Sequence, residues 1–248
     1  MEVNNRTIIG RTKRGALACI STLVLNSHVL LMGKSGSGKS TTMMSLILQK
    51  IIEGCLVIAI NWRRCLDESS IIPELQERYR RYRYKIDVAK EGLCMPLFTP
   101  QKDFNGNEET PDRVIARGSN MLKVAGELTE PQTFSMWEAV SAVFRQDLYH
   151  ESGIQSVDAQ LRSQEKRTAS SAAERIQALC GTNVFRDGSF LDSAQPKIYE
   201  IDLKGFEYDD QSKIIKGVVA CGSKYEKQQR SASCASVWHH LSFSACRE

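Results

Sequence analysis

The first part of the chain alternates short apolar runs with a stretch whose apolar residues recur at helical spacing. Residues 28–32 and 56–60 have the length and composition typical of buried parallel strands. Between these runs, helical spacing after Lys39 relates Met43, Met44, Ile47, Leu48, Ile51 and Ile52. The order strand, helix, strand predicts a βαβ unit with a right-handed crossover and a largely parallel sheet.

The segments on either side of this unit extend the α/β pattern. Two candidate strands, residues 7–10 and 16–25, come first and are separated by the basic turn at 11–14. Beyond the second core strand, we expect a helix over residues 73–86 and a strand at 97–100. The beginning of the chain is therefore expected to be a small β segment that leads into the core.

The second half of the chain is mostly helical in pattern. Two helices are predicted at 110–128 and 129–148, because each segment begins with Thr and Pro residues that favour a helix start and continues with apolar residues at helical spacing. A third helical stretch covers 154–180. A strand at 197–203 and a helix at 209–220 then resume the core pattern. The helices are expected to form either an insertion between strands of the core sheet or a lid over the site.

These patterns divide the chain into segments with different expected roles. We expect a small β segment at 1–27, a βαβ core at 28–108, a helical insertion at 109–182, a return of the core sheet at 183–222 and an atypical tail at 223–248. The tail is rich in Ser, Ala and Cys and has no sustained period.

A complete G-x-x-x-x-G-K-[ST] motif lies between the first core strand and the helix, as Gly33-Lys34-Ser35-Gly36-Ser37-Gly38-Lys39-Ser40. Its glycines allow the backbone N–H groups to turn toward one phosphate chain, and the helix N-terminus adds its dipole. A flexible Gly/Ser turn is the alternative, but the strand before the motif and the helix after it favour a phosphate loop.

Each position of the motif has an expected role. The loop from Gly33 to Thr41 would cradle the phosphates of ATP, with Lys39 at the β- and γ-phosphates and Ser40 as a ligand of Mg²⁺. The guanine-specifying N-K-x-D motif does not occur in the sequence, which favours ATP over GTP. The expected fold is therefore an α/β P-loop NTPase.

Composition and charge narrow the class of protein. The 248 residues are 42% hydrophobic and carry a net charge of +4, which is too mild to indicate nucleic-acid binding from the total. The uncharged stretch 15–33 is interrupted by Asn26, Ser27 and His28, so we expect two strands there and no membrane span. The first residues lack the pattern of a secretory signal, and a cytoplasmic location is expected.

Cysteine and histidine spacing gives no metal frame. The eight cysteines include no C-x-x-C pair, which favours reduced thiols. Cys234, His239, His240 and Cys246 cluster near the end, but their spacing matches no usual zinc site.

One predicted helix is unusually basic. Five cations occur within a short stretch: Arg78, Arg80, Arg81, Arg83 and Lys85. A solvated helix face explains such a run, and contact with nucleic-acid phosphates explains it too because tyrosines interleave the arginines. The sequence leaves both explanations open.

The acidic strand that a P-loop ATPase needs for hydrolysis has no clear match. Asp202 ends an apolar strand, but that strand contains Glu200. Asp202 is thus a candidate for the magnesium shell and, with Lys39, a candidate catalytic residue, with a turn or capping role as the alternative. Asp67 and Glu68 follow a basic segment and are expected in a loop.

The glycines and basic turn before the phosphate loop, the sequence from Leu25 into Gly33, and residues 201–206 together resemble the HerA/FtsK superfamily of DNA-pumping ATPases, including motors of conjugative transfer and type IV secretion. The resemblance covers roughly residues 6–220. It implies a RecA-like core, a hexameric ring of identical subunits, and ATP hydrolysis coupled to sequence-independent movement of double-stranded DNA.

The chain departs from the superfamily pattern in two places. The second core strand continues into Asn61-Trp62-Arg63-Arg64, where such motors often have Asp, and an acidic strand after residue 220 is missing. No arginine finger is assigned. We therefore expect a C-terminally truncated or altered form of a longer motor.

Two further functions remain open from the sequence. One is another P-loop class, such as a small-molecule kinase or a transporter ATPase, although neither an acceptor motif nor a transporter signature stands out. The other is a module that binds nucleotide without turnover, which the missing acidic strand favours.

Overall fold

The computed structural model describes residues 6–21, 31–34, 36–61, 66–102, 105–181, 184–188 and 197–229. The described residues fall into two compact units. Of the described residues, the first unit contains those up to Lys85 and 197–201, and the second contains those in 86–188 and 202–229.

The described elements follow one another as β1 (Arg6–Arg11), β2 (Leu17–Ser21), α1 (Lys39–Ile52), β3 (Val57–Asn61), α2 (Pro73–Tyr82), β4 (Arg83–Asp87), α3 (Val88–Glu91), β5 (Leu93–Met95), α4 (Pro111–Gly126), α5 (Glu130–Arg145), α6 (Tyr149–Ser152), α7 (Ile154–Ser163), α8 (Arg167–Gly181), β6 (Phe185–Asp187), β7 (Ile198–Asp202) and α9 (Tyr208–Gln229). A short 3₁₀ turn, Glu68–Ser70, precedes α2.

The first unit begins with the expected β segment. Strands β1 and β2 pair antiparallel around a turn in which the Arg11 guanidinium donates to the Gly15 carbonyl. The side-chain amide of Gln49 in α1 completes two backbone hydrogen bonds of Ile8, accepting from its N–H and donating to its C=O at 2.8 Å each. A single glutamine thus attaches the hairpin to the helix that follows the phosphate loop.

Helix α1 buries the apolar face that the sequence predicts, except for Ile52 at its end, which is 71% exposed. Met43, Met44, Ile47 and Ile51 are each 3% exposed or less, and they belong to one apolar cluster with residues of β3, α2 and β7. Removing this much apolar surface from water is the main stabilising contribution to the unit.

The sheet of the first unit has the strand order β3–β7–β4. Val57 N–H donates to Lys197 C=O where β3 and β7 begin, and the side chains of Asn61 and Glu200 meet near the ends of the same two strands. The two strands therefore run in the same direction, as the expected largely parallel core sheet requires.

The helix expected over 73–86 is shorter than predicted. Helix α2 ends at Tyr82, and Arg83 has the extended backbone angles φ −75° and ψ 130° at the start of β4. The Arg83 side chain binds the carboxylate of Glu200, and Ile86 is buried from a strand position. Tertiary contacts override a helical pattern that local spacing favoured.

In the second unit, the strand expected at 97–100 is also wrong. The strand in this part of the chain is β5, which ends earlier, at Met95, and pairs with β6 in parallel. The N–H groups of Phe98 and Thr99 donate to the carboxylate of Asp187 at 2.9 and 3.2 Å, so a side chain takes the place of a neighbouring strand. Phe98 is nevertheless buried, which explains its apolar neighbours in the sequence.

The helices of the second unit follow the predicted pattern with two differences. Thr129 and Gln132 form a capping box at the start of α5. The stretch expected at 154–180 is interrupted, because α7 ends at Ser163 and α8 begins at Arg167. Helix α9 continues to Gln229, beyond the expected end at 220.

Close approach between elements of the second unit requires a small residue in α9. A Cβ atom at Gly217 would lie 2.7 Å from Cζ of Phe185 and 3.6 Å from Cβ of Ala125. Glycine therefore allows α9 to lie directly against β6 and α4.

Candidate functional site

The phosphate loop lies in the first unit and leads directly into α1. The expected strand before it falls largely outside the described residues, and Leu31 and Met32 are not part of a strand. Ser35 also lies outside the described residues, whereas Gly33, Lys34 and 36–38 are exposed. The described part of the loop is thus open to a ligand from water.

Backbone geometry explains why the loop contains glycine at two of its positions. Gly36 and Gly38 have φ values of 76° and 83°, in the left-handed region that other residues rarely adopt. Gly38 is also the N-cap of α1. Its left-handed conformation turns the chain abruptly into the helix, and no atom lies within 4 Å of the place where a Cβ would be.

Lys39 closes the loop on itself. Its ammonium donates to the carbonyl oxygens of Gly33 and Lys34, at 2.6 Å each. The two contacts hold the cation beside the beginning of the loop, where a phosphate chain would pass. A point charge on a flexible stem can exchange these carbonyls for phosphate oxygens.

The start of α1 has the properties of an anion site. The first intrahelical hydrogen bond runs from Thr42 N–H to Gly38 C=O, so earlier N–H groups of the helix have no helical acceptor. The first turn of α1 contains no acidic residue that would compete with an anion. Ser40 and Thr41, in this turn, are partly exposed.

These features fit a nucleoside triphosphate with its magnesium ion. The loop amides and Lys39 supply donors for phosphate oxygens, and the hydroxyl of Ser40 is an oxygen ligand of the kind that Mg²⁺ accepts alongside phosphates. Among the residues that the structure describes, no group of three or more His, Cys, Asp or Glu side chains could hold a metal by itself. A metal ion here would depend on the phosphates for part of its coordination.

Asp202 lies in the second unit, whereas Lys39 and Ser40 lie in the first. Asp202 is only 1% exposed, and its Oδ1 accepts a hydrogen bond from the Lys204 N–H at 3.0 Å. The ammonium of Lys204 lies 3.7 Å from Oδ2. An Asp that accepts from the N–H two residues later stabilises a turn, which is the alternative role that the sequence left open for it.

A buried carboxylate in β7 is a feature that the sequence reading missed. Glu200 is 0% exposed and receives two hydrogen bonds from Arg83, from Nε to Oε2 at 2.6 Å and from Nη2 to Oε1 at 3.1 Å. The Tyr79 hydroxyl donates to Oε2 at 2.5 Å, and the Asn61 amide donates to Oε1 at 2.9 Å. Each partner comes from a different element of the first unit.

The network continues outward from Asn61 and Arg83. The Asn61 amide also lies 3.3 Å from Oδ1 of Asp67, and Arg83 Nη1 lies 3.3 Å from Oε1 of Glu68. Arg80 donates to Glu68 at 2.7 Å, and this hydrogen bond lowers the pKa of the Glu68 carboxyl below its ordinary value. The one available signal in the sequence was a Glu placed inside an otherwise apolar strand.

The sequence-predicted residues are thus only partly brought together. Within the first unit, the structure places the described residues of the phosphate loop at the start of α1, as the motif requires. The expected cluster of Cys234, His239, His240 and Cys246 lies outside the described residues. In the part of the chain that the structure describes, no helix has the length and hydropathy needed to cross a bilayer.

Comparisons with known proteins locate this fold. No family model matches the chain, and no curated protein matches it in sequence. Among solved structures, the chain is similar to VirB4 of Thermoanaerobacter pseudethanolicus, with a TM-score of 0.61 and 14% sequence identity. The similarity covers 92% of this chain, which spans 65% of the VirB4 chain. The fold expected from the sequence is confirmed: the chain has a mixed α/β, RecA-like P-loop fold similar to that of VirB4.

Proposed function

We propose that this chain is the ATP-binding domain of a motor related to the HerA/FtsK superfamily and acts on double-stranded DNA. The observation that carries the proposal is a phosphate loop ending in Lys39 and Ser40, at the start of α1, within a VirB4-like fold. The loop amides and Lys39 would bind the phosphates of ATP, and Ser40 would ligate Mg²⁺. Gly33, Lys34, Ser35, Gly36, Ser37, Gly38 and Thr41 complete the nucleotide site.

The motor would work as a hexameric ring in the cytoplasm, where ATP is abundant. Conjugative transfer or type IV secretion, the processes of the motors that the sequence resembles, is the setting in which this domain would act. Asp202 is retained as a candidate for the magnesium shell, although its contact with Lys204 supports a turn role.

The test is ATP hydrolysis by the purified chain with and without duplex DNA, alongside equilibrium binding of a fluorescent ATP analogue. We expect tight, Mg²⁺-dependent binding and turnover that duplex DNA stimulates. Lys39→Ala should abolish binding or turnover, because it removes the cation at the β- and γ-phosphates. Lys50→Ala is a matched control: it removes a lysine from the far end of the same helix, where Lys50 pairs with Glu53 at 2.7 Å.

The results separate the proposal from its alternatives. Binding without turnover, with or without DNA, would identify a nucleotide-binding module. Turnover that DNA leaves unchanged would favour another P-loop class. Unchanged ATP affinity in Lys39→Ala would contradict the site assignment itself.

A further inference from the structure

The last turn of α2 and the start of β4 carry a run of cations that the nucleotide site does not use. Five basic residues and no acidic residue occur between positions 78 and 86: Arg78, Arg80, Arg81, Arg83 and Lys85. A helix dipole favours cations near the C-terminus, so their position alone does not require a ligand. What each arginine contacts decides its role.

Two of these arginines hold the fold together. Arg83 binds Glu200 with two hydrogen bonds, and its side chain is only 17% exposed. Arg80 forms an ion pair with Glu68, and Arg83 forms a second, longer ion pair with the same carboxylate. These contacts anchor the end of α2 to β7 and to the turn before α2, and they account for both residues.

Arg78 and Arg81 have no such role. Both side chains are exposed, and no ion pair of either is found among the described residues. Residues three positions apart on a helix are neighbours on its surface, so the two guanidinium groups share one face. Glu74 and Glu77, one turn earlier, are exposed and do not bridge to them in the structure.

The face that carries these two arginines is held in place from beneath. Tyr79, between them in sequence, is fully buried and donates to Glu200. The guanidinium of Arg81 lies 5.9 Å from the ring centre of Tyr82, which limits its freedom. A rigid support of this kind lowers the entropy lost when charged side chains bind a partner.

We propose that the Arg78–Arg81 face of α2 contacts the phosphate backbone of duplex DNA without reading its bases. The proposal rests on the proposed function as a DNA motor and names one surface that would engage the DNA. Guanidinium groups without an ion pair among the described residues, such as these two, match phosphate oxygens in charge and hydrogen-bond geometry. Duplex DNA carries one negative charge per about 1.7 Å of its axis, because both strands contribute phosphates. It therefore presents a denser array of phosphates to two neighbouring arginines than a single strand does.

The aromatic residues nearby favour duplex over single-stranded DNA. Proteins that bind single strands present aromatic rings on which bases stack. Here Tyr79 is buried, Tyr82 is partly buried, and Tyr84 packs edge-on against Tyr199 at 5.6 Å between ring centres. Tyr84 is 50% exposed but is held by Tyr199, so the described surface beside the exposed arginines offers no series of free rings on which successive bases could stack.

The test compares the double variant Arg78→Gln/Arg81→Gln with the unaltered chain, using fluorescence anisotropy of labelled duplexes of two unrelated sequences at low and moderate salt. Each lost phosphate contact should reduce the slope of log affinity against log salt by about 0.9, so a decrease of about 1 to 2 is expected. Affinity at low salt should fall about tenfold for both duplexes. ATP-analogue binding should not change.

The matched control is Arg113→Gln/Arg145→Gln, which removes two exposed helical arginines from the second unit and changes the net charge equally. An equal loss of DNA affinity in both double variants, or no loss in Arg78→Gln/Arg81→Gln, would overturn the surface while leaving the motor function intact. Absence of duplex binding by the unaltered chain, with ATP binding retained, would overturn both this inference and the DNA part of the proposed function. Stronger binding of a single strand than of the duplex would also contradict the inference.

Discussion

Arg83 and Glu200 form a bidentate ion pair that joins the start of β4, directly after α2, to the buried strand β7. Nε and Nη2 of Arg83 lie 2.6 and 3.1 Å from the two carboxylate oxygens, and Glu200 has no exposed surface. Because a buried carboxylate without a partner is costly, the pair makes the position of Arg83 a condition for folding of the first unit.

Arg83→Met is therefore expected to destabilise the first unit by about 3 kcal/mol, because it leaves the carboxylate of Glu200 buried with fewer donors. Urea unfolding followed by tryptophan fluorescence and circular dichroism would measure the change. Arg80→Met is the control, since it breaks a more exposed ion pair with Glu68 that water screens, and it should destabilise the unit far less. Equal effects of the two substitutions would contradict the structural role assigned to Arg83.

Tyr79→Phe tests the second donor to the same carboxylate. The hydroxyl of Tyr79 lies 2.5 Å from Oε2 of Glu200 in a fully buried position. Removing it should lower the free energy of unfolding by about 1.5 to 3 kcal/mol, the range for hydrogen bonds to charged groups. Tyr84→Phe, at a ring that is 50% exposed, should change stability by less than about 0.5 kcal/mol. A stability loss in Tyr84→Phe that matches Tyr79→Phe would argue against the buried hydrogen bond.

The network around Glu200 also marks the limit of what the sequence could predict. Helix α1, its apolar face and the glycine turn before it follow from local periodicity and motif spacing, and the structure confirms them except at Ile52, which is exposed. The end of α2 does not follow from local spacing, because Arg83 leaves the helix to reach a residue 117 positions away. Similarly, the carboxylate of Asp187 accepts the hydrogen bonds that a neighbouring strand would accept from Phe98 and Thr99, although it lies 89 and 88 positions away in the sequence.

The candidate site shows the same division. The spacing from Gly33 to Ser40 predicts a phosphate loop because each residue acts through its neighbours in sequence. Asp202 depends on its surroundings, and there the sequence could only offer two roles. The hydrogen bond from the Lys204 N–H to Asp202 favours the turn role. Its donor is only two residues away in the sequence, but Asp is so common in turns that the sequence alone could not decide between the two roles.

Gly38→Ala tests whether the sharp turn into α1 matters for nucleotide binding. With φ at 83° and no atom near the added methyl group, the cost comes from the left-handed backbone and should be about 1 to 2 kcal/mol. The backbone can avoid this strain by rotating away, which would misdirect the N–H groups at the start of α1. We expect weaker binding of an ATP analogue, measured by fluorescence titration, together with a small loss of stability.

Gly181→Ala provides the comparison for that substitution. Gly181 ends α8, has open space around it and no left-handed φ, so alanine should be neutral or stabilise the helix by up to about 1 kcal/mol. Nucleotide affinity should stay unchanged. Unaltered affinity in Gly38→Ala would show that the left-handed turn is dispensable for the phosphate loop.

Gly217→Ala tests the close packing of α9 in the second unit. The added Cβ would lie 2.7 Å from Cζ of the buried ring of Phe185, too close for either atom to stay in place. Overpacking of this kind should cost about 1 to 3 kcal/mol, despite the better helix propensity of alanine. The urea midpoint would measure the loss, and Gly217→Ala combined with Phe185→Leu should recover part of it; no recovery would contradict a clash with that ring.

Burial should make the Cys180 thiol inert at neutral pH and link it to stability at high pH. Burial, with a further contribution from Asp158 that exceeds the opposing effect of Arg162, raises the pKa of Cys180 from 9.0 to about 12. Iodoacetamide labelling read by peptide mass spectrometry should therefore modify the exposed Cys19 well before Cys180. The folded chain keeps its proton where the unfolded chain has lost it, so the stabilisation is fully present below pH 9.0 and is lost as pH rises toward 12. Cys180→Ala lacks this contribution, and the stability difference between the original chain and the variant should narrow over that interval; a difference that stays constant would show that Cys180 does not titrate as its burial requires.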